Sequence, residues 1–341
     1  MPGIMEAVRS AIIRRAYGRD DFIDRHLAHF IGGITIMPNN ICNADCVFCA
    51  YRFNEEPKDT MSLELFKRTI DETFTLGYLG TLVLTPVAGE PLADPTLFEK
   101  IAYAKSKGVQ NVTFTTNAIL MLKNDNWRKC IDAGLHTLHI SSSGLSDEAY
   151  KRMYRSKRYP VIIEGIQKLL AYKEEKNDPV LIKLLLRLDR PLEEAMQDEG
   201  MAAVRPYLER GTLQLDDIRN NFDNWSGHIS EGDLIGNMTL NDAKERPVPC
   251  QRMTHDLAVL PDGKVRVCSC RYFRTNHDEL VIGDLNEKPM KEIHFGDTHR
   301  QLLKDVAQGK WPRVCDKCSL YEPSGLTTMP LLDLVKSSIK S

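Results

Sequence analysis

The chain has 341 residues, a hydrophobic content of 42% and a formal net charge of −2. This length is enough for one large domain of about 200–250 residues and a smaller one. The near-neutral charge leaves no electrostatic footprint for nucleic acid, and no run approaches the ~18 apolar residues that cross a bilayer. We therefore expect neither nucleic acid nor a membrane as a partner.

Residues 1–30 are predicted to form an N-terminal helical segment. The first residues, MPGIMEAVR, lack the long apolar core of a signal peptide and indicate a short amphipathic helix. Without an export signal, the nine cysteines favour metal ligation over disulfides and a reducing compartment. The predicted localisation is cytoplasmic.

Residues 31–216 alternate between strand-like and helix-like patterns, which predicts right-handed βαβ units and a parallel sheet. Gly77, Gly108 and Gly134 are predicted helix stops. The predicted strands are Gly33–Met37, Thr81–Thr85, Val109–Thr115, His136–Ser141, Val180–Leu188 and Thr212–Leu215. The predicted helices are Ser62–Leu76, Asp94–Lys107, Asp125–Ala133, Val161–Lys176 and Glu193–Glu209.

Three cysteines, Cys42, Cys46 and Cys49, follow the first strand with three and then two residues between them. Thiolates hold soft metals, and zinc or an iron–sulfur cluster are the first candidates. Zinc prefers four ligands. A trio with no nearby fourth Cys or His therefore favours a [4Fe–4S] cluster with one iron open to a substrate or cofactor. The alternative is three buried or zinc-bound cysteines.

The Cys-x3-Cys-x2-Cys spacing, with the aromatic Phe48 before the last cysteine, resembles the signature of radical S-adenosylmethionine (SAM) enzymes. The resemblance implies a partial (β/α)6 barrel in which the open iron chelates SAM. In that family the reduced cluster breaks a C–S bond of SAM, and the resulting 5′-deoxyadenosyl radical takes a hydrogen atom from substrate. An electron donor such as flavodoxin or ferredoxin is the implied partner.

Two further motifs follow the next strands. Ala88-Gly89-Glu90-Pro91 resembles the family's Gly-Gly-Glu-Pro motif, which implies that Gly89 and the Glu90 carboxylate receive the SAM amino group. The alternative is an ordinary turn between a strand and a helix. Thr116-Asn117-Ala118 resembles the family's Thr-Asn-Gly end, which places Asn117 near the methionyl or ribose part of SAM.

Later strand ends supply two more candidate SAM contacts. Ser142 lies where the ribose is expected, although a serine at a strand end is equally typical of a helix cap. Arg187 is expected to pair with the SAM carboxylate, with a salt bridge at the barrel rim as the alternative. Residues 217–249 are predicted to be a linker and substrate loop in which Trp225 offers a stacking face. The alternative is a solvated linker with one buried tryptophan.

A second cysteine set falls in residues 250–325. Leu257–Leu260 and Lys264–Cys268 predict a β-hairpin with an Asp-Gly turn, and Met290–Gln308 is predicted to be helical. The predicted metal ligands are Cys250, Cys268, Cys315 and Cys318, which are suited to zinc or a fully ligated [4Fe–4S] cluster. Residues 326–341 are a predicted C-terminal tail.

With Gly263-x4-Cys268, this segment resembles the SPASM/twitch extension of radical SAM enzymes. Its cysteine number suffices for one auxiliary [4Fe–4S] cluster, whose implied role is to accept or relay an electron. The predicted fold class is α/β: a partial (β/α)6 TIM-like barrel followed by a small cysteine-rich β-hairpin and helix domain.

Two cysteines remain. Cys130 is predicted to lie in the core. Cys270 is two residues from Cys268, and in an extended strand both thiols would face the same side. Cys270 is the candidate catalytic residue, as hydrogen donor to a substrate radical. It is alternatively a ligand in place of Cys268, or inert.

The expected substrate is a small polar molecule of the sugar, aminoglycoside or aminocyclitol type, because only about 30 residues precede the first strand, too few for a peptide-leader domain. The predicted reaction is epimerisation with Cys270 as donor. The alternatives are oxidation by a dehydrogenase, peptide maturation, and a non-enzymatic iron–sulfur or zinc protein.

Overall fold

Six strands of a parallel sheet alternate with helices in the computed structural model, which describes residues 2–28, 33–54, 56–77, 79–269 and 278–339. Each strand pairs in parallel with the next one along the chain. All six overlap the predicted strands, which confirms the α/β fold class. Strands β1–β6 are Gly33–Ile36, Thr81–Val83, Asn111–Thr116, Thr137–Ser142, Leu181–Arg187 and Leu213–Arg219.

The helices between these strands follow the predicted order. The first three are shorter than predicted, the one predicted from Val161 begins two residues earlier, and Asp147–Met153 is an additional helix. Gly77, Gly108 and Gly134 adopt positive φ angles just beyond α3, α4 and α5, as helix-terminating glycines do. Helices α1–α13 are Pro2–Ala16, Asp20–Ala28, Leu63–Phe74, Leu97–Ser106, Asn126–Asp132, Asp147–Met153, Tyr159–Lys176, Leu192–Ala195, Glu199–Glu209, Arg252–His255, Met290–His294, Asp297–Ala307 and Leu331–Ile339.

Two predicted helices are wrong as single elements. Glu193–Glu209 is broken between α8 and α9, where Asp198 pairs with Arg190 and accepts the Leu145 N–H at 2.7 Å. Met290–Gln308 is broken between α11 and α12 at Gly296. Both breaks depend on local conformations that the apolar periodicity does not reveal.

Strands β7 (Asn221–Phe222) and β8 (Thr239–Leu240) pair as a separate two-stranded sheet. The predicted hairpin is present as β9 (Leu257–Val259) and β10 (Lys264–Val267), with Gly263 at φ 96° in its turn. Strand β9 pairs in parallel with β1, and β10 pairs with β11 (Val281–Asp284). The cysteine-rich segment therefore extends the barrel sheet, in the strand order β11-β10-β9-β1-β2-β3-β4-β5-β6.

Alternation along the strands separates a helix-covered face from an inward face. Val112 and Phe114 of β3 are fully buried in the main core, whereas Thr113 and Thr115 between them are only half-buried. Along the described part of the chain, no helix is both long and apolar enough to span a bilayer.

Candidate active site

The first cysteine loop lies beyond the carboxyl end of β1 and is held by backbone hydrogen bonds. The Val47 N–H donates to the Met153 carbonyl at 2.9 Å, and the Cys49 N–H donates to the Cys46 carbonyl at 3.1 Å. The Cys42 N–H donates to the Tyr51 hydroxyl at 2.8 Å. The loop therefore has a defined shape built by α6 and by its own flanking residues.

The three thiols of this loop are half-buried and close enough to affect one another. Burial, together with the neighbouring Glu90 and Cys49, raises the pKa of Cys42 to about 12. Burial and the other two thiols also raise the pKa of Cys46. Clustered thiols that must lose protons together suit a bound metal centre, which stabilises thiolates.

Glu90 braces the ends of two strands. Its carboxylate is buried and accepts hydrogen bonds from the Leu92 N–H at 3.1 Å, the Thr116 hydroxyl at 2.6 Å and the Asn117 N–H at 2.8 Å. Burial raises the pKa of Glu90 to about 7, although these three donors oppose the rise. Its predicted contact with SAM stays a prediction, because here the carboxylate is engaged within the protein.

Gly89 and Asn117 both lie against the cysteine loop or the residues that support it. A Cβ at Gly89 would lie 2.9 Å from Pro86, so only glycine fits there without a shift. The Asn117 side chain donates to the Asn43 side-chain oxygen at 2.8 Å and approaches the Cys42 sulfur at 4.0 Å. Ala118, at the position of the family's glycine, has a positive φ of 62°.

Trp225 lies against Phe48 and does not offer a stacking face. It is 4% exposed, and its indole N–H donates to the Phe48 carbonyl at 2.9 Å. The Phe48 ring stacks on Phe222 with centroids 5.1 Å apart. The predicted stacking role of Trp225 is therefore wrong in this structure, because the 217–249 segment folds onto the cysteine loop and buries the ring.

Ser142 and Arg187 make internal contacts. The Ser142 hydroxyl is buried, donates to the Gly144 carbonyl and accepts from the Tyr150 hydroxyl. Arg187 pairs with Asp217 at 2.8 Å, the rim salt bridge given as the alternative. The adjacent Ser143 has a buried hydroxyl with no hydrogen-bond partner among the described residues.

One cavity brings together all four cysteines of the second set. Cys250, Cys268, Cys315 and Cys318 line it, although the first and the last are 68 positions apart in the chain. Burial raises the pKa of Cys315, and Cys318 and Cys250 raise it further. This donor set suits a cluster with four thiolate ligands. In the described part of the chain, no three His, Cys, Asp or Glu side chains surround a point for a single metal ion.

The extended conformation expected at Cys268 is wrong. Strand β10 ends at Val267, and Cys268 has a positive φ of 69° with its carbonyl accepting from Arg266 at 2.6 Å. Cys270 itself lies outside the described residues, and its donor role stays a prediction.

The inward face of the sheet carries polar side chains that sequence reasoning did not select. His139 of β4 lies between Thr113, 3.4 Å from its Nδ1, and Lys183 of β5 in the paired register. Lys183 pairs with Asp216 of β6 at 2.8 Å. Burial, followed by the positive charge of Lys183, lowers the pKa of His139. Side chains alternate between the two faces of each strand, and this alternation identifies the residues on the inward face. It can be used only once the register of the strands is known.

Comparison with known proteins agrees with this arrangement. Residues 36–183 match the Radical SAM superfamily, and residues 250–319 match the SPASM iron–sulfur cluster-binding domain. Each match includes one of the two cysteine sets.

The chain belongs to the radical SAM superfamily. This radical SAM enzyme therefore uses SAM and a [4Fe–4S] cluster, and its SPASM domain implies auxiliary iron–sulfur chemistry. The residues present fit both groups: Cys42, Cys46 and Cys49 would hold the first, and the four cavity cysteines would hold the second.

Curated relatives match only part of this radical SAM enzyme. A probable GTP 3′,8-cyclase of Methanococcus maripaludis is 28% identical over 138 residues, which are 40% of this chain and 44% of the relative. The GTP 3′,8-cyclase of Chlorobaculum tepidum is 26% identical over 139 residues, 40% of this chain and 41% of the relative. The chain thus spans less than half the length of these relatives.

Solved structures share the fold over most of the enzyme. BtrN in complex with AdoMet and 2-DOIA has a TM-score of 0.52 and 16% identity, covering 84% of this chain and 92% of BtrN. Streptococcus suis SuiB bound to precursor peptide SuiA has a TM-score of 0.58 and 12% identity, covering 90% of this chain and 78% of SuiB. At these identities the likeness establishes the fold alone.

Proposed function

We propose that this radical SAM enzyme removes a hydrogen atom from a carbon of a small polar substrate of the sugar, aminoglycoside or aminocyclitol type. When bound, the SAM cluster and SAM supply a 5′-deoxyadenosyl radical, and the auxiliary cluster supplies an electron acceptor. The observation that carries the proposal is the polar inward face formed by Thr113, His139, Lys183 and Asp216.

The inward face is polar, whereas the interior of a barrel that is filled by its own side chains is apolar. Closed (β/α)8 barrels pack branched apolar side chains inward. Here the inward positions of β3, β4 and β5 include Thr113, Thr115, His139 and Lys183, all half-buried. Hydroxyl, imidazole and ammonium groups suit a ligand that carries hydroxyl or amino groups.

Oxidation of an alcohol carbon to a carbonyl is the fate that the described residues support best. After hydrogen abstraction, the substrate radical must lose its hydroxyl proton and one electron. Because burial and Lys183 lower the pKa of His139, its imidazole is neutral near pH 7 and can accept that proton. Among the described residues, His139 Nε2 makes no hydrogen bond.

Epimerisation with Cys270 as hydrogen donor is the second candidate. One observation favours it: Cys250, Cys268, Cys315 and Cys318 fill the ligand set of the cavity, which leaves Cys270 over as an additional thiol. In this case the substrate radical gains a hydrogen atom from the thiol on the opposite face. The thiyl radical left behind returns to the thiol by taking one electron from the reduced auxiliary cluster and one proton from solvent, so no base is needed.

Anaerobic reconstitution followed by single turnover distinguishes these outcomes. Carbon-deuterated aminocyclitols and aminoglycosides are incubated with enzyme, SAM and dithionite in parallel with GTP and a peptide pool. Deuterium in 5′-deoxyadenosine from the first group supports the proposal, whereas transfer only from GTP or peptide contradicts the substrate class. A product lacking two hydrogens indicates oxidation, and an isomer carrying solvent hydrogen indicates epimerisation. A protein that never forms 5′-deoxyadenosine would instead be a non-enzymatic iron–sulfur protein.

A further inference from the structure

Two polar side chains at the four-cysteine cavity have buried groups that no other part of the described chain satisfies. The Ser319 hydroxyl and the Arg246 Nη1 are buried and lack a hydrogen-bond partner among the described residues. Both residues line the cavity together with the four cysteines. A buried donor without an acceptor is destabilising, so such groups usually face a partner.

We propose that Arg246 and Ser319 donate hydrogen bonds to the sulfur atoms of the auxiliary cluster and raise its reduction potential. The inference rests on the auxiliary cluster and deepens the proposed function, because a higher potential makes that cluster a better electron acceptor. Both residues are positioning residues, since they act through the cluster and not on substrate.

The Arg246 guanidinium is fixed beside the cavity by weak contacts that leave Nη1 available. Its planar group lies over the Trp311 ring, 5.1 Å from the centroid, and its Nη2 is 3.7 Å from Asp316. A guanidinium at the wall of this cavity favours the negative charge that thiolate ligands and cluster sulfides would bring.

Ser319 follows directly on the ligand Cys318 and is 4% exposed. A serine hydroxyl both donates and accepts, so burying it without a partner is unfavourable unless an acceptor is present. The thiolates and inorganic sulfides of a cluster would provide one. Hydrogen bonds to these sulfurs and the local charge are the means by which proteins set cluster potentials.

Two carboxylates near the cavity, those of Asp223 and Asp316, have other partners or face solvent. Asp223 also lines the cavity, and its carboxylate accepts the Trp225 N–H at 2.7 Å. Asp316 is the weak partner of Arg246, and its side chain is 60% exposed. The buried Nη1 of Arg246 and the buried Ser319 hydroxyl therefore lie at the cavity, whereas one carboxylate is hydrogen-bonded and the other is largely solvated.

The test is a redox titration of the reconstituted holoenzyme followed by electron paramagnetic resonance. The signal of the auxiliary cluster is assigned in the full chain with Cys42, Cys46 and Cys49 replaced by Ala. We expect Arg246→Gln and Ser319→Ala each to lower its midpoint potential. A tenfold change in the reduced-to-oxidised ratio corresponds to about 59 mV for one electron, and we expect roughly this for Arg246→Gln and less for Ser319→Ala.

Two variants provide matched controls. Arg313→Gln removes the same charge from a side chain that is 78% exposed and close in sequence to Cys315, so it measures the effect of net charge alone. We expect little shift in this variant. Arg246→Lys keeps the charge but loses the planar fork, and we expect it to restore only part of the potential.

Iron content separates the ways in which the inference can fail. About eight irons in every protein with unchanged potentials in Arg246→Gln and Ser319→Ala would overturn the inference and leave the proposed function intact. If both variants lose the auxiliary iron but still cleave SAM, the two residues are needed to retain the cluster and not to set its potential. That result would also overturn the inference. About four irons in the unmodified enzyme would show that it has no auxiliary cluster, which would also overturn the inference.

Discussion

Glu90 illustrates how burial gives a motif residue a second role. Its carboxylate joins the turn after β2 to the end of β3 through three donors, and the side chain is 1% exposed. The resemblance to the family motif identified Glu90 as a site residue. It did not indicate that Thr116 and Asn117 would donate hydrogen bonds to its carboxylate. Partners contributed by a different strand become visible only when the register of the sheet is known.

Replacing Cys42, Cys46 or Cys49 by Ala should abolish SAM cleavage, because each thiol is expected to ligate one iron. Iron should fall from about eight to about four per chain. The matched control is Cys130→Ala, a buried cysteine in α5 that lies outside both cysteine sets. Counting iron and 5′-deoxyadenosine checks this expectation, and cleavage that persists in any of the three variants would refute it.

Replacing His139 by Gln should lower product formation at least ~100-fold while SAM cleavage falls much less, because a general base contributes about 10²–10⁴. The base acts when neutral, and the pKa of His139 is lowered from the ordinary value of 6.5. In the unmodified enzyme, kcat/KM should therefore fall with decreasing pH only below about 6.5, and this acid limb should disappear in the variant.

The exposed His136, three residues earlier in the chain, provides the control for that measurement. His136→Gln should retain both the rate and the acid limb. Equal pH profiles for the unmodified enzyme and His139→Gln would show that His139 is not the base.

At the scale of elements, the 217–249 segment is packed where polarity predicted a linker or substrate loop. Phe222 and Trp225 contact Phe48, and Asp223 and Ser226 line the auxiliary cavity. The segment therefore lies between the two cysteine sites. Polar residues occur both in its buried part, such as Asp223, and in its exposed part, such as residues 242–245. Composition alone therefore does not separate a packed segment from a solvated loop.

Trp225→Phe should weaken the first cysteine loop, because the Phe48 carbonyl loses its indole donor. We expect about 1–3 kcal/mol less stability for this variant, and about 3–5 kcal/mol less for Trp225→Ala, which also leaves a cavity. The rate at which a chelator removes iron from the SAM cluster reports the change. Trp127→Phe, in α5, is the control, and equal rates in both phenylalanine variants would contradict the expectation.

His294 joins α11 to the end of α2, where its Nε2 donates to the Leu27 carbonyl at 3.1 Å. Burial lowers its pKa from 6.5 to about 4, and the nearby His299 contributes. The unfolded chain therefore binds a proton that the folded chain excludes. The resulting stability is complete above pH 6.5 and is lost as the pH falls towards 4, by about 3 kcal/mol in total.

Urea denaturation between pH 4 and 7 measures this dependence. His294→Gln should flatten it in part, because His299 is also buried with a lowered pKa. The exposed His228 is the control, and His228→Gln should retain the full slope. An unchanged slope in His294→Gln would contradict the assignment.

At the scale of the whole molecule, one sheet unites the two cysteine sites. Strand β9 pairs with β1, so the SPASM region covers an edge of the barrel that would otherwise expose unpaired backbone groups. The first metal site follows β1, and Cys250 and Cys268 flank the β9–β10 hairpin. This pairing is the structural reason why both sites lie on one continuous framework.

A chain that ends at residue 249 should therefore fail to form a folded monomer. Size-exclusion chromatography and circular dichroism would show association or loss of structure. The control is the full chain with Cys250, Cys268, Cys315 and Cys318 replaced by Ser, which retains β9 but not the thiolates. We expect this control to stay folded, whereas a stable monomer from the shortened chain would show that the pairing is dispensable.

Local pattern in the sequence by itself determined the alternation of strands and helices, the spacing of both cysteine sets and the family. These features depend on residues that are close together in the chain, so periodicity and spacing reveal them. Tertiary structure decided that Trp225 is buried, that Arg187 pairs with Asp217, that β9 joins β1, and that Arg246 and Ser319 meet four distant cysteines. Each of these depends on contacts between segments far apart in the chain, such as residues 246–268 and 315–319 around the cavity, which packing and strand register select.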